Sequence, residues 1–521
     1  MIKHLFTVYL VLIITGLHSQ SINISNGELF DGEPFMVVNS SNTSHIVIAW
    51  MGFDGLSLIT MKLKISEDGG ATWSAPITLP HINPGYTCAD PSMGYDNAGN
   101  LFFSYIDYNP FGTSGKAIVR KSTDGGYTWG DPVEVMDVFS DPGEAAVDRP
   151  WMVIDKSGTS TDGNIYITTK PAPWIPFPNR NYITASTNNG ASFNPWQYID
   201  GPGGSIGDFI AAPMATPAVG IDGTFYCVYP SWDPAENLLP RFILATSEDA
   251  ANTFTYQEVF EASDGFTNNN ENAKIGYLML ANPVNAEHLV FVYILSTHGD
   301  MDIFYRDTWN KGLTWSEAIR VNDDPISNDV LQDLVWGDFD NDGDLILTWR
   351  DRRNAPDTGF ATSSEIYGAI LWKDALAFTP NFNVSGPAAG FDSVLYENGN
   401  DFMCVNLEQD TIYATWGDTR SGYLNIWFNK FAAGDAGNNS ISLVAAENTS
   451  WINISPNPVG TIIQLESDCY SSYAIYDQQG KLSASGEVSD KAILVANLPA
   501  GIYHITLKGR DCSSIGRFVK Q

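Results

Sequence analysis

Basic residues are scarce in this 521-residue chain: 27 Lys and Arg stand against 60 Asp and Glu, which gives a formal net charge of −33. A surface this negative repels polyanions, so nucleic acid and anionic membranes are excluded as partners. Only 7 His are present, and they lack the spacing of zinc ligands. The chain also contains no Gly-x-x-x-x-Gly-Lys-Ser/Thr loop, so zinc and phosphate-loop chemistry are not indicated.

Cysteine is sparse and odd in number, with 5 residues, so the chain is not built on a disulfide framework. Cys469 and Cys512 belong to the same C-terminal segment and are the two that could pair. Cys88, Cys227 and Cys404 fall in apolar, strand-like segments, where we expect buried thiols without nucleophilic character.

Apolar runs long enough to span a bilayer are absent. The run Leu5 to Leu17 follows a basic start and is too short to cross a membrane. Because Ser19 and Gln20 come next, this start predicts a secretory signal peptide over residues 1–19. A membrane anchor is the alternative, and we expect a protein without one.

Helical periodicity is nearly absent, whereas aromatic residues, Gly, Asn and Asp are plentiful, which predicts an all-β fold. An acidic residue is followed seven times by a strand-like segment that holds Met or another large apolar residue. A second apolar strand follows each start. The seven starts are Glu33-Pro34-Phe35-Met36, Asp90-Pro91-Ser92-Met93, Asp148-Arg149-Pro150-Trp151-Met152, Asp208 with Pro213-Met214, Glu271 with Leu278-Met279, Asp333-Leu334-Val335-Trp336 and Asp401-Phe402-Met403.

A turn motif, Ser-x-Asp-x-Gly-x-Thr-Trp, recurs about 60 residues apart, a period typical of arrays and propellers. Asp or Asn followed closely by Gly favours a tight turn, because the side chain bonds nearby backbone N–H groups and Gly accepts positive φ. The five copies, two nearly complete and three degenerate, are Ser66–Trp73, Ser122–Trp129, Ser186–Phe193, Ser247–Phe254 and Thr308–Trp315.

The motif resembles the Asp box (BNR repeat) of the sialidase-type β-propellers, in which it is a structural hairpin at the outer edge of each blade. The resemblance implies a propeller over residues 20–431, with seven blades favoured and six as the alternative. The segment Ile22 to Ser25 has the composition of the outer strand that the seventh repeat lacks. Pairing it into the last blade would close the ring.

Between residues 432 and 449 the composition changes to Ala, Gly, Asn and Ser, which predicts a linker. The segments beyond it resemble, in order and spacing, the C-terminal sorting domain of the Bacteroidota type IX secretion route, a small β-sandwich. This implies a sorting domain over residues 450–521, the type IX machinery as a partner, and delivery to the cell surface or the medium. A carbohydrate-binding or immunoglobulin-like module is the alternative. The segments are Ile454–Pro458, Ala474–Lys481, Leu498–Tyr503 and Arg517–Lys520.

In a propeller, the loops that lead into the first strands and those that leave the second strands share one face, where function usually lies. The leading loops supply a ring of carboxylates, among which we single out Asp90 and Asp148, with Arg149 beside them. They could bind a cation or sugar hydroxyls, or supply the acid and base for glycoside cleavage. The alternative is that each carboxylate only bonds backbone N–H groups of a neighbouring blade.

The loops that leave two of the second strands share Trp-x-Asp-x-Arg, which adds Arg353 and Arg420 to the candidates. Converging Arg side chains would form a carboxylate-binding pocket, and sialidases hold their substrate carboxylate with such a group. The alternative is an Asp–Arg pair that ties loops together. The chain departs from the sialidases in its first blade, where Glu33 stands in place of their Arg. The candidate substrate contacts by loop position are Asp107, Tyr108, Trp174, Arg180 and Trp232.

Alternating carboxylates around a Gly in the segment Asp338–Asp344 suit a Ca²⁺ site, because oxygen ligands at every second position can converge on one hard cation. The segment resembles the calcium loops of integrin-type propellers. An ordinary hairpin turn is the alternative. The predicted ligands are Asp338, Asp340, Asp342 and Asp344.

These patterns predict a secreted, monomeric, sialidase-superfamily propeller that binds or cleaves an extracellular glycan. As an enzyme it would be a glycoside hydrolase of exo-sialidase type. Arg149, Arg353 and Arg420 would then orient an acidic sugar while Asp90 and Asp148 act on the glycosidic bond. The alternatives are a non-catalytic glycan-binding propeller and a surface adhesin or scaffold, since one fold hosts many functions.

Overall fold

The computed structural model describes residues 21–27, 29–54, 58–142, 147–172, 175, 179–207, 209–210, 214–237, 239–262, 276–392, 400–436, 449–452, 454–465, 467, 469–476, 482–489, 491–509 and 513–521. The chain divides into two compact units, Met1–Ser440 and Ile441–Gln521. The predicted signal peptide and residues 437–448 of the predicted linker lie outside the described residues. Within the described part, no helix has the length and apolar character needed to cross a bilayer.

In its described residues, the first unit holds seven four-stranded antiparallel sheets and one short 3-10 turn, Ala433–Asp435. The prediction of an all-β fold is confirmed. Six of the sheets each take four consecutive strands. They are β2 (Asp31–Val38), β3 (Ile46–Asp54), β4 (Leu58–Ser66) and β5 (Ile77–Thr78); β6 (Thr87–Tyr95), β7 (Leu101–Tyr108), β8 (Gly115–Ser122) and β9 (Val133–Asp137); β10 (Val147–Ile154), β11 (Ile165–Pro171), β12 (Tyr182–Ser186) and β13 (Gln197–Tyr198); β14 (Thr216–Val219), β15 (Phe225–Ser231), β16 (Arg241–Ser247) and β17 (Thr255–Glu261); β18 (Tyr277–Ala281), β19 (Leu289–Leu295), β20 (Asp302–Thr308) and β21 (Ile319–Arg320); and β22 (Gln332–Phe339), β23 (Leu345–Asp351), β24 (Glu365–Leu371) and β25 (Phe382–Asn383).

The seventh sheet joins the two ends of the unit. It consists of β26 (Cys404–Glu408), β27 (Thr411–Asp418), β28 (Asn425–Ala432) and, at its edge, β1 (Ile22–Asn23). Strand β1 runs antiparallel to β28 with Ile22 opposite Phe428, which is the pairing expected for this segment. The first unit continues past the predicted boundary at residue 431, because Ala433 and Ala436 are buried in its core.

The first strands of successive sheets contact one another, in the order β2, β6, β10, β14, β18, β22 and β26, and β26 in turn contacts β2. This is the order of contacts that a propeller has. Three of the second strands, β11, β15 and β23, are buried along their whole length. Because neighbouring sheets cover both of their faces, these strands read as continuous apolar runs and not as an alternating pattern.

The five recurring turns share one hydrogen-bond pattern. In the first copy, Ser66 Oγ accepts the Gly70 N–H (2.8 Å) and the Asp68 carboxylate accepts the N–H and the hydroxyl of Thr72 (2.8 and 2.6 Å). These bonds lower the pKa of Asp68 to about 2. The Trp73 indole donates to the Gly70 carbonyl (3.1 Å). The Ser/Thr and Asp/Asn bonds are repeated in the copies that begin at Ser122, Ser186, Ser247 and Thr308.

The first turn packs against the neighbouring sheet. Trp73 meets Phe428 of the seventh sheet edge to face, with ring centroids 5.2 Å apart. Gly70 has φ 92° in this turn, and a Cβ on it would lie 2.5 Å from the Phe428 ring. The turn therefore needs Gly both for its backbone conformation and for this contact.

The second unit contains two sheets that share one apolar core, which includes Ile463, Ile475, Ile505 and Phe518. Cys469 is disulfide-bonded, and Cys512 lies outside the described residues. The strands are β29 (Thr449–Trp451), β30 (Ile462–Gln464), β31 (Tyr470–Tyr476), β32 (Leu482–Glu487), β33 (Ala492–Leu494), β34 (Gly501–Gly509) and β35 (Ser513–Lys520), in a five-stranded sheet of order β29-β35-β34-β31-β32 and a pair β30-β33. In the first unit, Cys88, Cys227 and Cys404 are buried free thiols, as expected.

Removing the buried hydroxyl of the second turn should destabilise the fold. Ser122 is 1 % exposed and its Oγ accepts the Gly126 N–H at 2.8 Å. Ser122→Ala should lower the free energy of unfolding by about 1–3 kcal/mol, because a buried N–H loses its acceptor. Urea denaturation of the full chain measures this. Thr123→Ala, at the exposed neighbouring position, is the control, and an equal loss in both variants would contradict the role of the turn.

Candidate functional site

Four of the first strands are interrupted in the same way, by a shift of register near their start. At each shift one residue adopts the left-handed conformation, and in three cases it precedes Pro, where that backbone is disfavoured. Strained residues of this kind persist only where their surroundings hold them, and they gather at functional sites. The left-handed residues are Glu33 (φ 52°), Asp90 (φ 62°), Arg149 (φ 52°) and Leu334 (φ 57°).

The first three of these shifts bring charged side chains together in what we call the carboxyl cluster: Glu33, Asp90, Asp148, Arg149, Lys170 and Asp401. The Arg149 guanidinium forms an ion pair with Asp401, and its backbone N–H donates to Asp90 Oδ2 at 3.3 Å. Lys170 Nζ lies 2.5 Å from Asp148 Oδ2. The Asp90 carboxyl lies near enough to Glu33 and Asp148 that their charges raise its pKa. Four carboxyl groups thus share two cations.

The cluster is buried on one side and reaches solvent on the other. Glu33 is 2 % exposed and Asp90 7 %. The side chains of Arg149, Asp148 and Asp401 keep 18, 19 and 24 % of their surface exposed. A ligand approaching from solvent would therefore meet these three groups first.

Burial and charge hold the carboxyl groups of the cluster in different protonation states. Burial, and then the charge of Asp401, raise the pKa of Glu33 to about 8. Burial, and then Asp148, raise the pKa of Asp90 well above its usual range. Burial alone would also raise the pKa of Asp148, but Lys170, the Asp90 carboxyl and Arg149 outweigh it and lower that pKa to about 2. At neutral pH the cluster therefore contains a protonated Glu33 beside an ionised Asp148.

Aromatic rings form the wall of a small cavity beside the cluster, which Asp90 and Arg149 also line. Trp151 and Trp336 stack with centroids 5.3 Å apart, and Phe35 meets Trp336 edge to face at 5.7 Å. The cavity measures about 20 Å³. This is room for about one water molecule.

Two of the predicted substrate contacts lie on the second strand β7. Tyr108 lies close to the cluster: burial, and then Asp90 and Asp148, raise its pKa to about 12. Asp107 is fully buried, where its carboxylate contacts His81 Nδ1 (2.8 Å) and accepts the Ile82 N–H (2.6 Å). Asp107 therefore positions the loop that contains His81 and does not reach solvent.

Arg180 and Trp232, two more of the predicted substrate contacts, do not join the cluster. Arg180 lies over the Tyr198 ring at 3.5 Å and pairs with Asp200 at 2.7 Å. Trp232 packs on Phe209, which is 54 % exposed, with centroids 5.0 Å apart. Trp174 lies outside the described residues.

Arg353 and Arg420, placed by the sequence in one pocket with Arg149, each have carboxylate partners within their own part of the fold. Arg353 pairs with Asp351 (2.8 Å) and Asp323 (2.6 Å). Arg420 pairs with Asp418 at 2.6 Å. This is the arrangement of the alternative interpretation, in which Asp–Arg pairs tie loops together.

The predicted calcium loop contains two carboxylates that meet a third from the next sheet. Oxygen atoms of Asp340, Asp344 and Asp410 lie within 4.8 Å of one another. Asp338 is set apart, since its carboxylate accepts from Asn406 and from the Leu407 N–H. Asp342 is exposed and pairs with Lys373.

Two features of the site were not singled out from the sequence. Lys170 holds Asp148 ionised from the opposite position on strand β11, just as Arg350 faces Asp333 across β22 and β23. Aligning the repeats by their second strands would have revealed this recurring acid–base pairing. Asp401 belongs to the ring of starts, but only the structure shows that it pairs with Arg149.

Gly203 to Gly207 has the Gly-x-Ser-x-Gly spacing of a serine nucleophile elbow. That elbow is a turn between a strand and a helix, and this segment joins β13 to β14 with no helix among its described residues. The Ser205 hydroxyl donates to the Gly201 carbonyl at 3.4 Å. We assign it no nucleophilic role.

Comparison with known families identifies the C-terminal segment. Residues 453–521 match the family model described as "Secretion system C-terminal sorting domain". This type IX sorting domain indicates export to the cell surface or secretion, and implies interaction with the type IX machinery. No curated protein matches the chain.

Several solved structures resemble the chain at low identity. A protein of unknown function from Dyadobacter fermentans is 15 % identical, with 68 % of this chain and 96 % of that chain covered and a TM-score of 0.42. An α-L-arabinanase from Penicillium chrysogenum is 11 % identical (80 % and 99 % covered, TM-score 0.44), and a sialidase from Trypanosoma rangeli is 10 % identical (96 % and 86 % covered, TM-score 0.38). At these values the function has to be argued from the chemistry of the site.

Replacing Glu33 by Gln tests its protonation state. The folded-state pKa of about 8 lies above the ordinary value of 4.5. The stabilisation from the protonated form is therefore complete below pH 4.5 and lost as the pH rises to about 8. Glu33→Gln is neutral at every pH. The melting temperature of this variant should therefore exceed that of the wild type by a margin that grows as the pH rises through this window.

Thermal unfolding of the full chain between pH 4.5 and 8.5 provides the measurement. Glu317→Gln, at an exposed carboxylate outside the cluster, is the matched control. A melting difference between Glu33→Gln and wild type that does not change with pH would contradict the protonated Glu33.

Proposed function

We propose that this exported protein acts on an extracellular glycan at the carboxyl cluster, as a glycoside hydrolase. The observation that carries the proposal is the meeting of four carboxyl groups with Arg149 and Lys170 in one partly buried cluster, where burial raises the pKa of Glu33 and Lys170, against burial, lowers that of Asp148. Environments that push the pKa values of neighbouring carboxyl groups apart assign the acid and the base in hydrolases. The turn motif, which resembles the Asp box of sialidase-type propellers, supports a glycan as the substrate class.

In this proposal the proton path runs through the cluster. Glu33 donates its proton to the leaving glycosidic oxygen, and Asp148 accepts a proton from the water that adds to the anomeric carbon. Asp90, which lies near both, returns the proton from Asp148 to Glu33 and restores the starting state. Arg149 exchanges its partner Asp401 for the carboxylate of an acidic sugar, since a guanidinium binds either one by paired N–H donors.

Glycan binding without turnover is the second candidate. It is favoured by the cavity of about 20 Å³, which is smaller than a sugar ring. It is also favoured by the carboxylate partners that Arg149, Arg353 and Arg420 already have. A binding protein needs only the exposed edge of the cluster, whereas a hydrolase must open the Arg149–Asp401 pair to admit its substrate.

We also propose that the seven sheets are seven blades of one ring, in preference to the six-bladed alternative. The support is the order of contacts between first strands, in which β26 returns to β2. The hydrogen-bonded pairing of β1 with β28 is a second support, because one blade then contains strands from both ends of the unit.

Sugar release by the full chain from sialosides and a panel of other glycans tests the hydrolase proposal. Asp148→Asn should lower kcat at least about 100-fold, because it removes the base. The activity of the wild type should fall as the pH rises through about 8, where Glu33 loses its proton. Asp131→Asn, at an exposed position outside the cluster, is the control and should act as wild type.

The same panel separates the two candidates. Glycan binding that weakens in Arg149→Lys, with no sugar released by folded wild-type protein, would replace the hydrolase by the binding protein. Release that survives in Asp148→Asn would remove the cluster from the chemistry.

We further propose that Asp340, Asp344 and Asp410 hold a calcium ion. The support is the meeting of three carboxylates, two of them buried, from two sheets. Carboxylate oxygen atoms are the ligands that Ca²⁺ prefers. This set replaces Asp338 and Asp342 of the sequence prediction by one residue from the adjacent sheet.

Calcium should raise the melting temperature of the full chain relative to chelator, since a ligand that binds only the folded state stabilises it. Asp410→Asn should abolish this difference, whereas Asp342→Asn, at an exposed residue of the same loop, should keep it. A calcium effect that is lost in Asp342→Asn and kept in Asp410→Asn would contradict this ligand set.

A further inference from the structure

A second concave surface lies away from the carboxyl cluster, along the edge between the fifth sheet (β18–β21) and the sixth (β22–β25). We call it the outer groove. It encloses about 870 Å³ and shares no lining residue with the small cavity beside the cluster. This volume is in the range of ligand-binding sites. Its walls are the turn after β20, strand β21 with the residues behind it, and the link between β24 and β25.

Trp309, on the turn after β20, is exposed to solvent and is fixed there by its neighbours. Its side chain is 59 % exposed. The indole stacks on the His288 ring, with centroids 3.9 Å apart and planes 11° apart, and its N–H donates to Asp307 Oδ2 at 2.9 Å. Asn282 in turn contacts His288 Nδ1 at 2.9 Å. An exposed ring that is already fixed loses little freedom when a ligand stacks on it.

The turn itself does not need an aromatic residue at this position. The equivalent residues in the other four copies are Glu67, Thr123, Thr187 and Glu248. All of those turns make the same Ser/Thr and Asp/Asn hydrogen bonds without an aromatic ring. The exposed indole of Trp309 therefore calls for an explanation other than folding.

The next sheet supplies a second Trp at the matching position. Strand β20 ends with Thr308 opposite Leu289, and β24 ends with Leu371 opposite Leu345. Trp372 thus follows β24 as Trp309 follows β20. Both line the outer groove. Trp372 is partly buried against a core cluster that includes Ile370, so the exposed Trp309 is the ring that the groove offers to the flat face of a sugar.

The charges of the groove disfavour an anionic ligand. Its two cations among the described lining residues are already paired, Arg320 with Asp302 (2.7 Å) and Asp324 (3.0 Å), and Lys373 with Asp342. The remaining polar lining includes amide, carboxylate and hydroxyl groups, such as those of Asn285, Asp323 and Thr379. These groups exchange hydrogen bonds with hydroxyls.

We propose that the outer groove binds a neutral polysaccharide chain, with a sugar ring stacked on Trp309. The proposal goes beyond the reaction at the carboxyl cluster, and rests on the proposed function only in taking a glycan as the ligand class. A site of this kind would hold the protein on a polymer while the cluster acts on bonds within reach.

Affinity electrophoresis of the full chain in gels that contain xylan, arabinan, galactomannan or mixed-linkage β-glucan tests the proposal. At least one polymer should retard the wild type. Trp309→Ala should weaken that affinity at least about tenfold. Trp309→Phe, which keeps a ring, should retain most of the binding. Phe111→Ala, at a residue that is 87 % exposed on the second sheet, is the control and should bind as wild type.

The outcomes separate this proposal from the reaction at the cluster. Asp148→Asn should bind the polymer as wild type does, and Trp309→Ala should release sugar from small substrates as wild type does. Wild-type retardation by none of the polymers, or full retardation of a folded Trp309→Ala variant, would overturn the outer-groove site. Neither result would bear on the carboxyl cluster.

Discussion

The burial of both faces of each sheet against the sheets on either side is the constraint on which the first unit depends. A four-stranded sheet with an apolar second strand cannot bury that strand by itself. Here the apolar core is drawn from adjacent sheets, as where Tyr166 of β11 meets Phe225 of β15 with centroids 4.8 Å apart. The recurring turns extend the same contact to the outer edge, where Trp73 reaches Phe428. The sheets therefore stabilise one another, and the first strands are brought together at the centre.

The close approach of the first strands buries several carboxyl groups near one another, and their negative charges must be neutralised or protonated. The chain carries far more acidic than basic residues, and four carboxyl groups of the cluster meet where water is largely excluded. Two are neutralised by cations, Asp148 by Lys170 and Asp401 by Arg149. The other two, Glu33 and Asp90, retain their protons instead. At the equivalent position of the sixth sheet, the carboxylate of Asp333 is neutralised by cations alone, because it pairs with both Arg350 and Arg352. Of these two arrangements, only the carboxyl cluster contains a protonated carboxyl group that could give up a proton.

In our proposals the two candidate sites have different roles, one in chemistry and one in binding. The carboxyl cluster has carboxyl groups of raised pKa, Glu33 and Asp90, and a cavity with room for about one water molecule, so it suits a reaction at one bond. The outer groove has the larger volume and a fixed, exposed indole but no comparable cluster of shared protons, so it suits a chain of sugars. They depend on different parts of the repeat, since the cluster uses the bulges of first strands and the groove uses the turns at the outer edge.

The sequence by itself determined the all-β class, the succession of strands and turns, and the sorting domain at the C-terminus. These are local properties: Asp, Gly and Trp at fixed offsets form the same turn wherever they occur, and an apolar run of strand length must be covered. It also placed Asp90, Asp148 and Arg149 on one face, because the offset of each from its strand start is similar. Only the tertiary structure decided which charges share a site. Arg353 and Arg420 were expected to share a pocket with Arg149, yet Arg353 pairs with Asp351 and Asp323 and Arg420 pairs with Asp418. Asp401 joins Arg149 from a distant part of the chain. The tertiary structure also determined three other features: the protonation of Glu33, the meeting of Asp340 and Asp344 with Asp410, and the outer groove beside Trp309. Each of these features depends on how close residues of different sheets lie in the folded chain. The free energy of a charge or of an exposed ring depends on the groups around it.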